Sequence, residues 1–316
     1  MLCLSLDSTD PLFNLAADEF LLKESNEDFL ILGVNDKSVI IGKHQIAHRE
    51  TDTKFVNQQK IPVIRRISGG GTVFHDPGNL NFSFILKSEY GKQVDFLKYS
   101  LPVISFLLSL GVEAKYEGKN DLKVDGSKIS GNAEHVYHDR ILHHGTLLFN
   151  SNIELLNGSI RRDTNNYRSR AVASNPSPVI NLINMLKNID SIDRFKMLMM
   201  DWFLENYPGS AKYNLSDQEI ERIKLLADTK YRTWEWNYAY GPEYQFSNRF
   251  GYKGIESTCT FSVIDGIICR CEISGAAELD LACKKLIGIR HLVEDIQEVF
   301  KKENIFKPGL DIFNFF

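Results

Sequence analysis

The chain has 316 residues, of which 37 are basic, 41 acidic and 43% hydrophobic, for a net charge of -4. That length suffices for about two domains with full cores. The slight acidic excess argues against nucleic acid as a partner, and the absence of an apolar run of ~20 residues argues against a membrane span. The first residues, MLCLSLDSTD, lack the basic region of a signal peptide. We therefore expect a cytoplasmic protein.

The N-terminal half alternates short strands with helices. Asp10 and Pro11 form a good N-cap and N1 pair, which predicts a helix to about Lys23. Apolar and polar residues alternate in NLNFSFIL, which predicts a half-buried strand. Further strands are predicted at DFLILGV, SVIIG, PVIRR, VEAKYEG, NDLKV, SKISGNAEHV and ILHHGTLLFN, and further helices at 51–60 and 95–110.

The glycine run after PVIRR is the first candidate functional feature. Consecutive glycines allow positive φ and close approach of a ligand, and can form a nest of N–H groups that binds phosphate. No GKS or GKT follows, and a GxGxxG before a helix is missing, so neither nucleotide fingerprint fits. A tight glycine bulge beside solvated arginines is the alternative. The residues concerned are Arg65, Arg66, Ser68, Gly69, Gly70 and Gly71.

Two later stretches also carry candidate site residues. Lys128 follows a Val-Asp-Gly-Ser turn, and a solvated strand lysine is the alternative to a ligand contact. Asn120 and Asp121 precede it and could serve a base, a ribose or a metal. His143 and His144 are adjacent on a predicted strand, so they face opposite sides and at most one points at a given site.

The C-terminal half begins with an aperiodic stretch, 161–178, whose length predicts a functional loop. Helices are predicted at about 192–206 and 216–228, and a hairpin over 256–274 precedes helices at 277–288 and 291–302. Mostly antiparallel sheet with packed helices defines an α+β fold. We expect a large domain over 1–246 and a small α+β domain over 247–316.

The cysteines cluster near the C-terminus. The five are Cys3, Cys259, Cys269, Cys271 and Cys283, and they lack the CxxC pairs of a zinc site. The turn Asp265-Gly266 predicts a two-residue hairpin, which would place Cys259 opposite Glu272 and on the other face from the next two cysteines. We therefore expect reduced thiols, which is typical of the cytosol.

Three segments together resemble the lipoate–protein ligases, which are related to the biotin ligases and to class II aminoacyl-tRNA synthetases. These are RRISGGGTVFHDPGNLNFSF, NDLKVDGSKISGNA and HHGTLLFN, and the resemblance covers nearly the whole chain. It implies that ATP and lipoate give lipoyl-adenylate and pyrophosphate, with Mg²⁺. The adenylate then acylates a lysine on the lipoyl domain of a 2-oxo acid dehydrogenase complex or on the glycine cleavage H protein.

The resemblance also implies roles for individual residues. Lys128 matches the family's essential lysine, which can hold the lipoate carboxylate against the α-phosphate and stabilise developing charge. The glycine loop, Ser68 to Gly71, would wrap the phosphates. Asn120 and Asp121 match nucleotide and magnesium contacts. The loop 161–178 corresponds to a segment that closes on the adenylate. Three more residues would line the site: Arg65, His75 and His144.

One position departs from the family pattern. Many members carry a tryptophan that packs on the acyl chain where this chain has Gly33, so we expect a wider acyl pocket. An octanoyl- or lipoyl-transferase of the same fold is one alternative. Such an enzyme forms a thioester on a cysteine, and the larger domain, which the resemblance makes the catalytic one, has only Cys3. A non-catalytic lipoate or adenylate sensor is another, although no appended helix-turn-helix is visible.

Overall fold

A computed structural model of the chain describes residues 1–88, 95–175, 177–275, 279–304 and 310–316. The fold is α+β, as predicted. The strands are β1 (Leu2–Ser5), β2 (Phe29–Val34), β3 (Ser38–Ile41), β4 (Val63–Arg65), β5 (Val73–His75), β6 (Asn79–Lys87), β7 (Lys115–Glu117), β8 (Asp121–Val124), β9 (Ser127–Tyr137), β10 (Arg140–Leu148), β11 (Tyr167–Arg168), β12 (Ala211–Tyr213), β13 (Tyr244–Tyr252), β14 (Ile255–Ile264) and β15 (Ile267–Ser274).

Most helices lie at the predicted positions, but those at Ala47–Glu50 and Ile153–Ser159 were not predicted, and the described ones include none that is long and apolar enough to cross a membrane. They are α1 (Pro11–Glu24), α2 (Ala47–Glu50), α3 (Thr53–Gln58), α4 (Phe96–Ser109), α5 (Ile153–Ser159), α6 (Ile192–Asn206), α7 (Asp217–Leu226), α8 (Asp280–Leu286) and α9 (Val293–Lys302). The start of α1 is fixed as predicted, because the Asp10 side chain accepts a hydrogen bond from the Leu12 amide and Pro11 occupies the first turn. The predicted start of α8 at Ala277 lies outside the described residues.

Three sheets organise the chain. The main sheet has the strand order β12-β1-β2-β6-β10-β9-β8-β7, and its pairs are antiparallel except for β1 with β2 and with β12. A small sheet, β4-β3-β5, holds the residues on both sides of the glycine loop. The third sheet, β11-β13-β14-β15, is C-terminal apart from β11, which the 161–178 loop contributes.

The main sheet is covered on both faces. One face packs on α4 and α6, where Phe84 contacts Phe203. The other face packs on α1 and the small sheet, where Leu15, Ile31 and Ile40 share a cluster. The prediction of a half-buried β6 is therefore wrong: its polar residues are also largely covered, because the second layer lies over them.

The C-terminal hairpin corrects a second prediction. Its turn has positive φ at Asp265 and Gly266, as expected for a two-residue loop. A register shift between Ser262 and Val263, however, places Cys259 opposite Ile273 instead of Glu272. The irregularity shifts the remaining pairs by one residue, and a shift of one residue exchanges the two faces of a strand. Cys259 therefore lies on the same sheet face as Cys271. The expected domain boundary at 246/247 falls within β13.

Candidate active site

A cavity of about 760 Å³ lies on the face of the main sheet that α1 and the small sheet cover. Its floor is a row of residues on five adjacent strands. The register pairs Gly33 with Asn81, Asn81 with Thr146, and Gly131 with Asp121, and the Gly131 amide donates to Thr146 Oγ1. At ~4.8 Å between strands, the row is roughly 19 Å long. The cavity is therefore a trench with two ends, which we call the Gly33 end and the Lys128 end.

The Lys128 end is charged. Lys128 Nζ lies 2.8 Å from Asp121 Oδ1, and both side chains are about one-fifth exposed, at 22% and 20%. The lysine folds over Gly131, where an added Cβ would lie 2.9 Å from Nζ. A side chain at 131 would therefore displace the ammonium group. Asn120 also lines this end and is tied to β9, because its carbonyl accepts the Asn132 amide at 3.0 Å.

The glycine loop forms one wall of the trench. Gly70 has φ of +85°, and a Cβ at Gly42 would lie 2.2 Å from the Gly70 carbonyl, so both positions require glycine. Arg66 holds the loop from beneath: its guanidinium donates to the carbonyls of Gly69, Gly71 and Ile40. Burial lowers the pKa of Arg66 to about 10, which leaves it charged at neutral pH.

The structure corrects the predicted role of Arg65, since Arg66 and not Arg65 lines the cavity. Arg65 is 0% exposed. Its guanidinium is used within the protein, where it ties β4 to the segment between β3 and α2 and to the 235–239 turn. The carbonyl groups that accept from it belong to Gly42, Lys43, Gln45, Trp236 and Asn237.

Ser68 and His144 join the loop to the trench floor. Ser68 Oγ is hydrogen-bonded to His144 Nε2 at 2.6 Å, and His144 Nδ1 lies 3.4 Å from Asp18 Oδ2. Ser68 is 0% exposed, so it supports the loop from the side away from the cavity. Neither Ser68 nor Gly69 lines the cavity, although both were predicted to do so. His143 points to the opposite face, as predicted, where its Nδ1 lies 2.8 Å from Glu134 Oε1.

The side chains around Gly33 itself are neutral, and the Asp18 carboxylate, one turn further along α1 from Asn14, accepts a hydrogen bond from Ser83 Oγ at 2.9 Å. Burial lowers the pKa of His75 to about 3, helped by the charge of Arg66, so its ring is neutral and Nδ1 accepts from Asn35 Nδ2 at 2.8 Å. A Cβ at Gly33 would lie 3.5 Å from Asn14 Nδ2, which is an ordinary contact. Apolar side chains supply much of the remaining wall: Leu6, Leu15, Ile31 and Ile40. This end therefore suits a neutral, largely apolar group.

Part of the 161–178 loop lines the trench, and the family resemblance led us to expect that this loop closes on the adenylate. Residues 172–175, 177 and 178 line the cavity. Ser174 fixes this segment: its Oγ accepts from the Thr72 amide at 2.9 Å and from Gln45 Nε2 at 3.1 Å. The Ser174 amide donates to Glu50 Oε2 at 3.1 Å, and burial raises the pKa of Glu50. We call this segment, which these contacts hold beside the glycine loop, the lid segment.

The structure brings most of the predicted site residues together and adds others. Predicted residues that line the cavity are Gly33, Gly70, Gly71, His75, Asn120, Asp121, Lys128 and His144. Lining residues that the sequence analysis missed include Asn14, Asp18, Asn81, Lys123, Thr146 and Ser174. Two signals could have found some of them: Asn14 and Asp18 are four residues apart on α1, and Lys123 shares a strand face with Asp121.

Comparisons with known proteins agree with this geometry. The family model for the lipoyl protein ligase A/B catalytic domain matches residues 10–204. Lipoate–protein ligase 1 of Staphylococcus aureus is 33% identical over 96% of this chain and 94% of its own length. The chain therefore belongs to the lipoate–protein ligase family, and it is an enzyme of the ligase class.

Solved structures extend the likeness to ligand complexes. The Plasmodium falciparum ligase LipL1 in complex with lipoate is 25% identical with a TM-score of 0.62, and the match covers 95% of this chain and 94% of that one. A lipoate–protein ligase A bound with ATP is 26% identical with a TM-score of 0.64, over 75% of this chain and 97% of that one. The first match includes the C-terminal sheet and helices within its coverage.

Proposed function

We propose that this enzyme activates lipoate with ATP to lipoyl-adenylate and transfers the lipoyl group to a lysine of a lipoyl-domain protein. The observation that carries the proposal is the trench itself, with a lysine–aspartate pair at one end and a neutral, largely apolar wall at the other. About three strand spacings, ~14 Å, separate Gly131 from Gly33. That room suits an acyl chain whose carboxylate lies at Lys128 and whose dithiolane lies near Gly33.

The first step joins carboxylate to phosphate. A lipoate carboxylate oxygen attacks the α-phosphorus, the bond to the bridging oxygen breaks, and pyrophosphate leaves with the electron pair. Lys128 brings the two anions together and stabilises the charge that develops on the phosphoryl oxygens. The glycine loop offers its backbone to the phosphates without a side chain in the way.

The second step moves the acyl group. The acceptor lysine nitrogen attacks the acyl carbonyl carbon, the bond to the AMP oxygen breaks, and the nitrogen loses one proton. Until the acceptor arrives, the lid must keep water from the mixed anhydride. The contacts of Ser174 with Thr72 and Glu50 hold the lid segment directly over the trench.

Asp121 is the residue that suits Mg²⁺. Among the described residues no group of three or more His, Cys, Asp or Glu could hold a metal ion. One carboxylate beside a polyphosphate is nevertheless a usual environment for Mg²⁺, which is bound by few protein ligands together with phosphate oxygens and water. We propose that Asp121 holds the ion, whose chemistry would be to neutralise the phosphates.

The transferase alternative lacks a nucleophile in the right place. Cys3 is the single cysteine before residue 259. It packs with Leu30, Leu32 and Phe106, on the face of the main sheet opposite the trench. Burial also raises the pKa of its thiol, which disfavours the reactive thiolate. A thioester at Cys3 could not form with an acyl group that lies in the trench.

The remaining predictions concern domains, partners and compartment. We propose that residues 1–246 carry both half-reactions and that 247–316 form an accessory domain, supported by the C-terminal sheet and by a hydrophobic cluster that draws most of its members from 244–316, with Ile46 and Tyr167 from the rest of the chain. A protein acceptor follows from the ligase family. We propose lipoyl domains of 2-oxo acid dehydrogenases or the glycine cleavage H protein as that acceptor, in the cytoplasm.

Exchange of labelled pyrophosphate into ATP tests the proposal most simply. We expect exchange only when lipoate is present, because adenylation is reversible and needs both substrates. The same enzyme should then lipoylate a purified lipoyl domain at its acceptor lysine. A chain that modifies the domain from lipoyl-ACP without ATP would instead be a transferase. A chain that binds lipoate with neither activity would be a sensor.

A further inference from the structure

A second lysine lies at the Lys128 end. Lys123 is two residues after Asp121 on β8, so both side chains lie on the trench face of the sheet. Lys119 also lines this end, nearer the surface. Among the described residues that line the Lys128 end, three lysines therefore face one carboxylate, Asp121, and that carboxylate is already paired with Lys128. Positive charge is in excess there.

The existing partner of Lys123 does not account for its position. Lys123 Nζ lies 3.6 Å from Glu117 Oε2, and the Glu117 side chain is 43% exposed. A loose ion pair with an exposed carboxylate contributes little to stability. The Lys123 side chain itself is only 22% exposed, which is low for a lysine without a close partner. The ammonium group is thus held at the cavity and remains free to meet another anion.

We propose that Lys123 binds the β- and γ-phosphates of ATP and the pyrophosphate that leaves, a role that rests on the proposed adenylation. Lys128 serves the α-phosphate and the carboxylate, so the extra charge beside it meets the rest of the polyphosphate. Pyrophosphate carries the electron pair of the broken bond and is the most anionic species in the reaction. A second ammonium group favours its departure by stabilising that charge. Lys119 continues the positive lining toward the surface.

Measuring the two half-reactions separately distinguishes phosphate binding by Lys123 from general support of the site. Pyrophosphate takes part in adenylation but not in transfer. A residue that contacts only the β- and γ-phosphates must therefore affect ATP use and leave transfer from lipoyl-adenylate unchanged. A residue that merely supports the site would slow both steps, because Lys128 acts in both.

The matched control is Lys115, which lies directly opposite Lys123 on the edge strand β7. It has the same charge, is exposed, and is outside the cavity lining. Lys123→Gln, Lys115→Gln and Lys123→Arg would be compared in the full-length enzyme. Lipoate-dependent exchange is followed against pyrophosphate and ATP concentration, and transfer is followed in a single turnover from purified lipoyl-adenylate to a lipoyl domain.

For Lys123→Gln we expect the half-saturating concentrations of pyrophosphate and ATP to rise roughly tenfold or more, as for the loss of a charged hydrogen bond. Transfer should stay within twofold of the wild type, Lys123→Arg should recover most of the loss, and Lys115→Gln should match the wild type. Unchanged exchange in Lys123→Gln, or an equal loss in transfer, overturns the inference. A wild-type enzyme without lipoate-dependent exchange overturns the proposed function, and the inference with it.

Discussion

The two ends of the trench are built from different interactions. At the Lys128 end, charged side chains stand about one-fifth exposed and a loop forms the roof. At the Gly33 end, neutral groups are fixed to one another: Asn14 Nδ2 donates to Asn35 Oδ1 at 2.7 Å, and Asn35 donates to His75. One end can respond to a charged ligand, whereas the other is set by packing.

The two ends therefore control different properties of the enzyme: the Lys128 end controls the adenylation reaction, and the Gly33 end controls which acid is accepted. Charge at one end decides whether an adenylate forms, because attraction between ions reaches across several ångströms. Volume at the other end decides which acid fits. A packed apolar wall distinguishes two acids that differ by one methylene by about 1–3 kcal/mol. Substitutions at the Lys128 end should therefore change rates for every acid alike, and substitutions at the Gly33 end should change the order of acids.

The largest effect is expected from Lys128→Ala. It removes the cation that contacts both reacting anions, so adenylation should fall by about 10²–10³-fold or more, the usual loss for one preorganised donor. The fold should survive, because the side chain is not part of the core. Lipoate-dependent pyrophosphate exchange measures the loss, with a thermal melt as control. Near-normal exchange would remove Lys128 from the mechanism.

Ser174→Ala tests the lid segment, which reaches the Lys128 end where the Lys128 amide donates to the Pro178 carbonyl. It removes the hydroxyl that accepts from the Thr72 amide and contacts Glu50. Losing a hydrogen bond to a charged group should lower the equilibrium constant for closure of the lid by about tenfold. We expect more ATP consumed per lipoyl domain modified, as adenylate escapes or hydrolyses. Ser169→Ala is the control, because Ser169 Oγ accepts a hydrogen bond from the Ala171 amide, at 2.9 Å and within the same loop. If both variants consumed the same amount of ATP per lipoyl domain modified, the proposed role of the lid would be wrong.

Gly33→Val probes the neutral end. The added Cβ has room, but the methyl groups must enter the trench or press on Asn14 and Leu6. We expect acids bulkier than lipoate to lose about tenfold or more in kcat/KM, and lipoate to lose less. A larger residue, as in Gly33→Trp, should narrow the range further. A series of straight and branched acids measures the order, and an unchanged order would show that position 33 does not contact the acyl chain.

The smallest effect is expected from replacing all five cysteines by serine or alanine. Neither end of the trench has a cysteine among its described lining residues. Cys271 and Cys283, whose sulfur atoms are 2.6 Å apart, lie in the C-terminal unit. ATP-dependent lipoylation should be largely retained, with a packing loss of ~1 kcal/mol at buried sites. If one substitution abolished transfer while adenylation survived, a thioester intermediate would have to replace direct attack.

Local signals carried the sequence analysis furthest. The Asp10-Pro11 cap and the glycine after α4, Gly111 with φ of +82°, mark helix ends that the structure confirms. The glycine loop was singled out because backbone freedom and flanking charge are visible in sequence, whereas the role of Lys128 came from the family resemblance. At the Gly33 end, His75 was singled out through the family resemblance, and Gly33 through its departure from the family pattern. Asn81 comes beside Gly33 through strand pairing, which the local sequence does not encode.

Two of the errors at residue level have the same origin. Arg65 and Arg66 are adjacent, and β4 ends between them, so the sequence could not show which guanidinium faces the trench. The choice depends on carbonyls from the 235–239 turn, some 170 residues away. The hairpin register likewise depended on the irregularity at Ser262, which moved Cys259 by one pairing position.

A crystal structure with a non-hydrolysable lipoyl-adenylate analogue tests the two-ended account most directly. The account predicts that the group replacing the phosphate lies within hydrogen-bond reach of Lys128 Nζ and that the acyl chain crosses Asn81, with the dithiolane beside Gly33. A dithiolane found at Lys123, or a nucleotide found at Gly33, would contradict the assignment of both ends at once.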